Sequence, residues 1–203
     1  MSNNSSFNSE DLSDNSIGDE ETKSQTDKDK EKEKGNSPEN NEIKNLDLIN
    51  SISKVLNTIL EKNKSVINYK EILKKQSMMY FSANTIPNIT IKDYLSRIQN
   101  YSELEKSTLI MSLILIDKMC RKSGILLTHY NIHRILFCSV LISIKYNEDS
   151  YYDNTFYSQI AGIKPNELKL LEYTFLEYTD FNVFVKDDEY EQYEQYLNMW
   201  VYD

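Results

Sequence analysis

The sequence predicts an all-α fold. Three observations carry that expectation. Apolar residues recur at three- and four-residue steps through most of the chain. Helix capping and stop signals bracket those stretches. Only 4 glycines and 3 prolines occur among 203 residues. A sandwich or barrel needs many tight turns, and a nucleotide-binding α/β fold needs glycine-rich loops, so both are disfavoured.

The elements follow in order. Residues 1–45 hold five apolar side chains, Met1, Phe7, Leu12, Ile17 and Ile43, against 12 acids and 6 lysines. Such a stretch cannot bury enough surface to offset its ordering entropy and is expected to be a disordered acidic tail. Its lysines, from Lys28 to Lys34, alternate with acids, which reads as a self-neutralising solvated run rather than a nuclear import signal. Ser13 and Ser16 sit among acids as weak candidates for phosphorylation.

From Leu46 a stripe begins: Ile49, Ile52, Leu56 and Ile59, widened by Leu46, Val55 and Leu60. A short helix is expected at Tyr69–Leu73, then an irregular stretch broken at Pro87; together these make N-terminal flanking helices and a loop over 46–89. Thr90 with Asp93 forms a capping pattern ahead of Ile91, Tyr94, Leu95 and Ile98. Ser102 with Glu105 forms another and predicts a helix to about Arg121, stopped by Gly124. Thr128 or Asn131 caps the next, to about Asn147. Asn154–Ala161 ends at Gly162, and Pro165 opens a helix through about Thr179. A final acidic flanking helix falls within 183–203, over Asp187–Val201.

Two helices are apolar on nearly every side. One carries Leu109 to Ile116 and Met119; the other carries Ile132, Ile135, Leu136, Phe137, Val140, Leu141, Ile142 and Ile144. A helix of that kind has to be covered all round. Both are therefore expected at the centre of a domain of about five helices.

The net charge of −9 offers no cationic excess to displace counterions from phosphate, so no nucleic-acid partner is expected. No apolar run approaches the ~20 residues of a membrane span. Cys120 and Cys138 form no CxxC and fit a reducing compartment, cytoplasmic or nuclear. No catalytic motif, cofactor site or metal site stands out. His129 and His133 share an i, i+4 spacing, but no third ligand is evident, so capping or packing is preferred. Tyr151–Tyr152 and the YEQYEQY run at 190–196 read equally as interaction surface and as half-buried packing. Lys145 and Glu172 are charges set among apolar neighbours, which are usually paired or used, or else snorkel at a helix edge.

Longer stretches carry a resemblance. ITIKDYLSRIQNYSELEKSTLIMSLILIDKM, then HYNIHR ahead of the central helix, resemble a cyclin box. So do Lys145–Tyr146 with Glu148–Asp149, the Tyr151–Tyr152, Asn154 and Tyr157 pattern, the Ala161–Gly162–Ile163 turn, and Glu167–Leu168 with Leu171–Glu172. The combination is similar to Pho-type (P/U-type) cyclins over about 46–200. It implies a single five-helix box at 90–182 and a heterodimer with a cyclin-dependent protein kinase that the chain binds, activates and helps direct to substrates. It implies no catalytic residue in the chain itself. Lys145 and Glu172 then match the lysine and glutamate that grip the kinase, with Tyr146, Glu148 and Asp149 beside them. Arg97 and Asp117 match a structural pair, at shorter spacing than in mitotic cyclins. Ile144 replaces the usual small residue, and Asp117–Lys118 the usual Asp-Arg. The alternative is an adaptor on the same fold that activates no kinase.

Overall fold

The structure is a computed structural model that describes residues 38–66, 68–76 and 79–200, with side chains from Asn45 onward. The expectations for the tail up to residue 37, Ser13 and Ser16 among them, lie outside the described residues. Eight helices make up the secondary structure there: α1 (Pro38–Lys64), α2 (Tyr69–Gln76), α3 (Ile91–Ser102), α4 (Lys106–Ser123), α5 (Ile132–Asn147), α6 (Asn154–Ala161), α7 (Pro165–Tyr178) and α8 (Asp187–Met199). The all-α expectation holds.

The central pair is α4 and α5. α5 is buried without a break from Ile135 to Ile144, and α4 from Thr108 to Ile116. α4 is covered by α5, α1, α7 and α8, and α5 by α4, α6 and α7; α3 is held between α1 and α6. All-round apolarity in the sequence thus marked the two helices whose middles are buried without a break and which pack on each other. Truncating a fully buried member such as Leu136 to alanine costs about 2–5 kcal/mol.

Local signals set several helix ends. Thr90 accepts the Asp93 N–H at 3.0 Å and donates its hydroxyl to the Asp93 carboxylate at 2.7 Å. Gly124 and Gly162 close α4 and α6 with φ of +68° and +71°, where a Cβ is strained. Pro165 sits in the first turn of α7.

Two boundaries differ from expectation. α1 starts at Pro38, inside the segment expected to be disordered, and Asn45 is buried. Proline is tolerated at a helix's first position, and the Asn45 amide donates to the Leu104 carbonyl at 2.8 Å, a tie that local composition does not reveal. The Ser102–Glu105 pattern does not open α4. Ser102 closes α3, Glu103 turns left-handed at φ +47°, and α4 starts at Lys106.

Candidate functional site

α5, α6 and α7 converge on one ring of side chains. Lys145 comes from the last turn of α5, where the apolar stripe ends. Asn154 is the first residue of α6, whose end is fixed by Asp153 accepting the Phe156 N–H at 2.9 Å. Glu172 comes from the middle of α7, between the buried Leu171 and the exposed Tyr173. Lys145 Nζ donates to Glu172 Oε1 at 2.6 Å and to Asn154 Oδ1 at 2.7 Å; Asn154 Nδ2 donates to Glu172 Oε2 at 2.9 Å. The Lys145 and Glu172 side chains retain 26% and 15% exposure. They are therefore neither in the core nor free in water. The two charges stabilise each other, and part of the pair remains open to solvent. In that half-desolvated setting an ion pair is worth more than on a bare surface, and loss of one member leaves the other uncompensated.

Exposed aromatic residues adjoin the ring in sequence. Tyr146 follows Lys145, Tyr151 and Tyr152 precede α6, and Tyr173 follows Glu172; each exposes more than half of its surface. Tyr152 leans on Phe156 with ring centroids 4.2 Å apart. Tyr173 meets Phe181 edge-on at 6.0 Å. Phe181 holds φ +57° and is 57% exposed, a costly conformation for a bulky residue whose side chain is not buried in return. Sequence reasoning missed Phe181, because its signal is a backbone angle rather than a pattern. It quoted Asn154 only as part of a motif and missed its bonds to both charges.

The remaining expected residues are dispersed. Asp149 is exposed. Glu148 turns inward: its Oε1 accepts the Thr108 hydroxyl at 2.7 Å and the Glu105 N–H at 3.2 Å, so it serves the start of α4 from another helix end. This is why α4 does without a capping side chain of its own. Arg97 and Asp117 do not pair. Arg97 donates to the Gln159 carbonyl at 3.2 Å on α6. Asp117 meets Arg121 one turn along at 2.9 Å and accepts the Tyr193 hydroxyl at 2.6 Å. A near neighbour on its own helix and the docked α8 satisfy that carboxylate, so Arg97 has no role there. Burial, and then the bond to Asp117, push the Tyr193 hydroxyl above its ordinary pKa.

The histidines are separated in role. His133 Nε2 bonds the Ile89 carbonyl at 2.9 Å, while His129 lies 3.8 Å from Glu61. Burial lowers the pKa of both. Among the described residues no group of three or more His, Cys, Asp or Glu is gathered to hold a metal. No described helix is long and apolar enough to cross a membrane. Of the tyrosine runs, Tyr151 and Tyr152 are exposed, whereas Tyr190 and Tyr193 pack on the core. Burial raises the Cys120 thiol to about 12, so it packs as a small hydrophobe.

Comparison with known proteins adds the following. The profile of the family described as Cyclin matches residues 17–183. Cyclin-U4-1 of Arabidopsis thaliana is 27% identical over 159 residues, which cover 77% of this chain and 79% of that one. Cyclin-U4-2 of the same plant is 31% identical, covering 72% and 67%. The PHO85 cyclin-like protein psl1 of Schizosaccharomyces pombe is 30% identical over 62% of this chain and 53% of that protein.

Proposed function

This chain belongs to the cyclin family, with similarity to its P-, U- and Pho-type members, and from that premise we propose that it binds and activates a cyclin-dependent kinase of the Pho85 type and contributes to substrate choice. The observation that carries the reading is the Lys145–Glu172 pair. Two charges 27 positions apart meet at 2.6 Å, partly exposed, beside exposed aromatics.

The mechanism follows from what a kinase lacks when alone. Its mobile regulatory helix has to bring a glutamate to the catalytic lysine. A partner that binds only the inward position of that helix shifts the population by its differential affinity. Lys145 offers N–H donors and Glu172 acceptor oxygens to the polar groups of such a helix. Tyr146, Tyr173 and Phe181, all exposed, supply apolar contact, and the exposed Asp149 follows the end of α5. Glu148 acts indirectly, by tying the end of α5 to the start of α4.

The test uses the full chain and a purified Pho85-type kinase, with phosphorylation of a basic substrate as readout. The double variant Lys145→Glu/Glu172→Lys keeps an internal ion pair but reverses the polarity shown to the partner. Asn154 can rotate its amide to serve either arrangement, so the fold is retained. Wild type is expected to bind and activate, and the folded double variant to do neither. Equal activation by both sinks this reading. A wild type that binds no kinase and activates none leaves the adaptor alternative.

A further inference from the structure

We propose that Asn154 is a positioning residue, which holds Lys145 and Glu172 in the arrangement that the kinase binds; this rests on the kinase-binding reading of that pair. The three bonds at 2.6, 2.7 and 2.9 Å close a ring of side chains drawn from three helices. Without Asn154, one contact between two flexible side chains remains. Ordering such side chains at the moment of binding weakens affinity. With Asn154, that ordering is complete before the kinase arrives.

The chemistry demands an amide. Oδ1 accepts from the ammonium while Nδ2 donates to the carboxylate, and both lie on one planar group. Aspartate has only acceptors and repels Glu172. Leucine keeps the approximate shape and makes no bond. Helix α6 itself does not need the Asn154 side chain. Asp153 already caps it, and the Tyr157 hydroxyl accepts the Tyr152 N–H at 3.4 Å, which fastens the approach to the first turn.

This separates positioning from stability. An acid in the first turn of a helix is favourable to the helix dipole. If Asn154 served only the fold, Asn154→Asp would be milder than Asn154→Leu. If it positions the pair, the order in binding reverses, because the introduced carboxylate draws Lys145 away and pushes Glu172 out.

The experiment is calorimetric titration of a purified Pho85-type kinase with the full chain and both variants, beside thermal melts and the NMR signal of the Lys145 ammonium. Asn154→Leu is expected to weaken binding about tenfold. Asn154→Asp is expected to weaken it further while melting no lower than Asn154→Leu. The ammonium signal, slowed in exchange by its bonds in wild type, is expected to vanish in Asn154→Leu. Wild-type affinity in Asn154→Leu, alongside lost binding in Lys145→Glu/Glu172→Lys, overturns the positioning role and leaves the kinase reading standing. A milder loss in Asn154→Asp than in Asn154→Leu, tracking the melts, assigns the residue to the fold. No binding by wild type overturns the kinase reading itself.

Discussion

Two faces of the molecule are built on charge, and they use it differently. At the α5–α6–α7 face, one lysine and one glutamate are closed into a ring by an amide, at low exposure. At the α4–α8 face, the contacts form a ladder: Lys106–Glu194 at 2.5 Å, Lys118–Glu189 at 2.8 Å, and Arg121 between Asp117 at 2.9 Å and Glu189 at 3.8 Å. The ladder seats a helix that contributes one fully buried residue, Leu197, and carries acids at Asp187, Asp188, Glu189, Glu191 and Glu194. In the ladder the acids share their partners, Glu189 between Lys118 and Arg121 and Asp117 between Arg121 and Tyr193, so one rung can be lost without stranding a charge. In the closed ring each charge has the other as its only ionic partner among the described residues, so loss of one member leaves a half-desolvated charge unmatched. The ring fits recognition, and the ladder fits attachment.

The comparison can be broken at several points. The largest effect is expected from Lys145→Glu alone, which sets two carboxylates against each other. Kinase affinity should fall by about 2–5 kcal/mol, read by titration calorimetry; a loss of less than about threefold would remove the ring from recognition. Next comes Leu197→Ala. Emptying that site should lower stability by about 2–3 kcal/mol in urea unfolding while kinase affinity stays near wild type. A parallel loss of kinase affinity would make α8 part of the recognition face. Lys118→Ala removes the bridge to Glu189 and a bond to the Phe184 carbonyl at 2.6 Å. Lys118–Glu189, at 19% and 26% exposure, is as shielded as Lys145–Glu172, but Arg121 also reaches Glu189, so the loss should be about 1 kcal/mol and should shrink in high salt. Amide exchange in α8 measures this, and a salt-independent effect would assign the seating to apolar contact instead.

The smallest effect lies away from both faces. His133 donates Nε2–H to the Ile89 carbonyl, while its Nδ1 is buried without a partner. Burial holds its pKa below the ordinary 6.5. The unfolded chain therefore binds the proton first. Stability is full above that value and declines as pH falls through 6.5 toward the depressed folded value. Melting curves of wild type and His133→Gln between about pH 5 and 7 should diverge modestly on acidification. Identical pH dependence in both would move the cause to other groups.

Much of this protein was legible in one dimension. Helical periodicity and the Thr90, Gly124, Gly162 and Pro165 signals located the helices, because capping and stop chemistry act within a turn. The all-round apolarity of α4 and α5 placed them at the centre, because such helices have no face to give to water. Lys145 and Glu172 stood out as charges among apolar neighbours. What the sequence could not assign was the partner of each polar side chain. Glu148 serves the start of α4 across some forty residues, Asp117 receives Tyr193 from 76 positions away, and Arg97 turns to α6 rather than to Asp117. Asn45, read as part of a tail, is buried by its bond to Leu104. Helix formation is dictated by neighbours a few residues apart, whereas a polar group's partner is whichever complementary atom the packed helices bring within 3 Å. That choice is made only when the core closes, and at Asn154 it turned a surface amide into the link between the two charges.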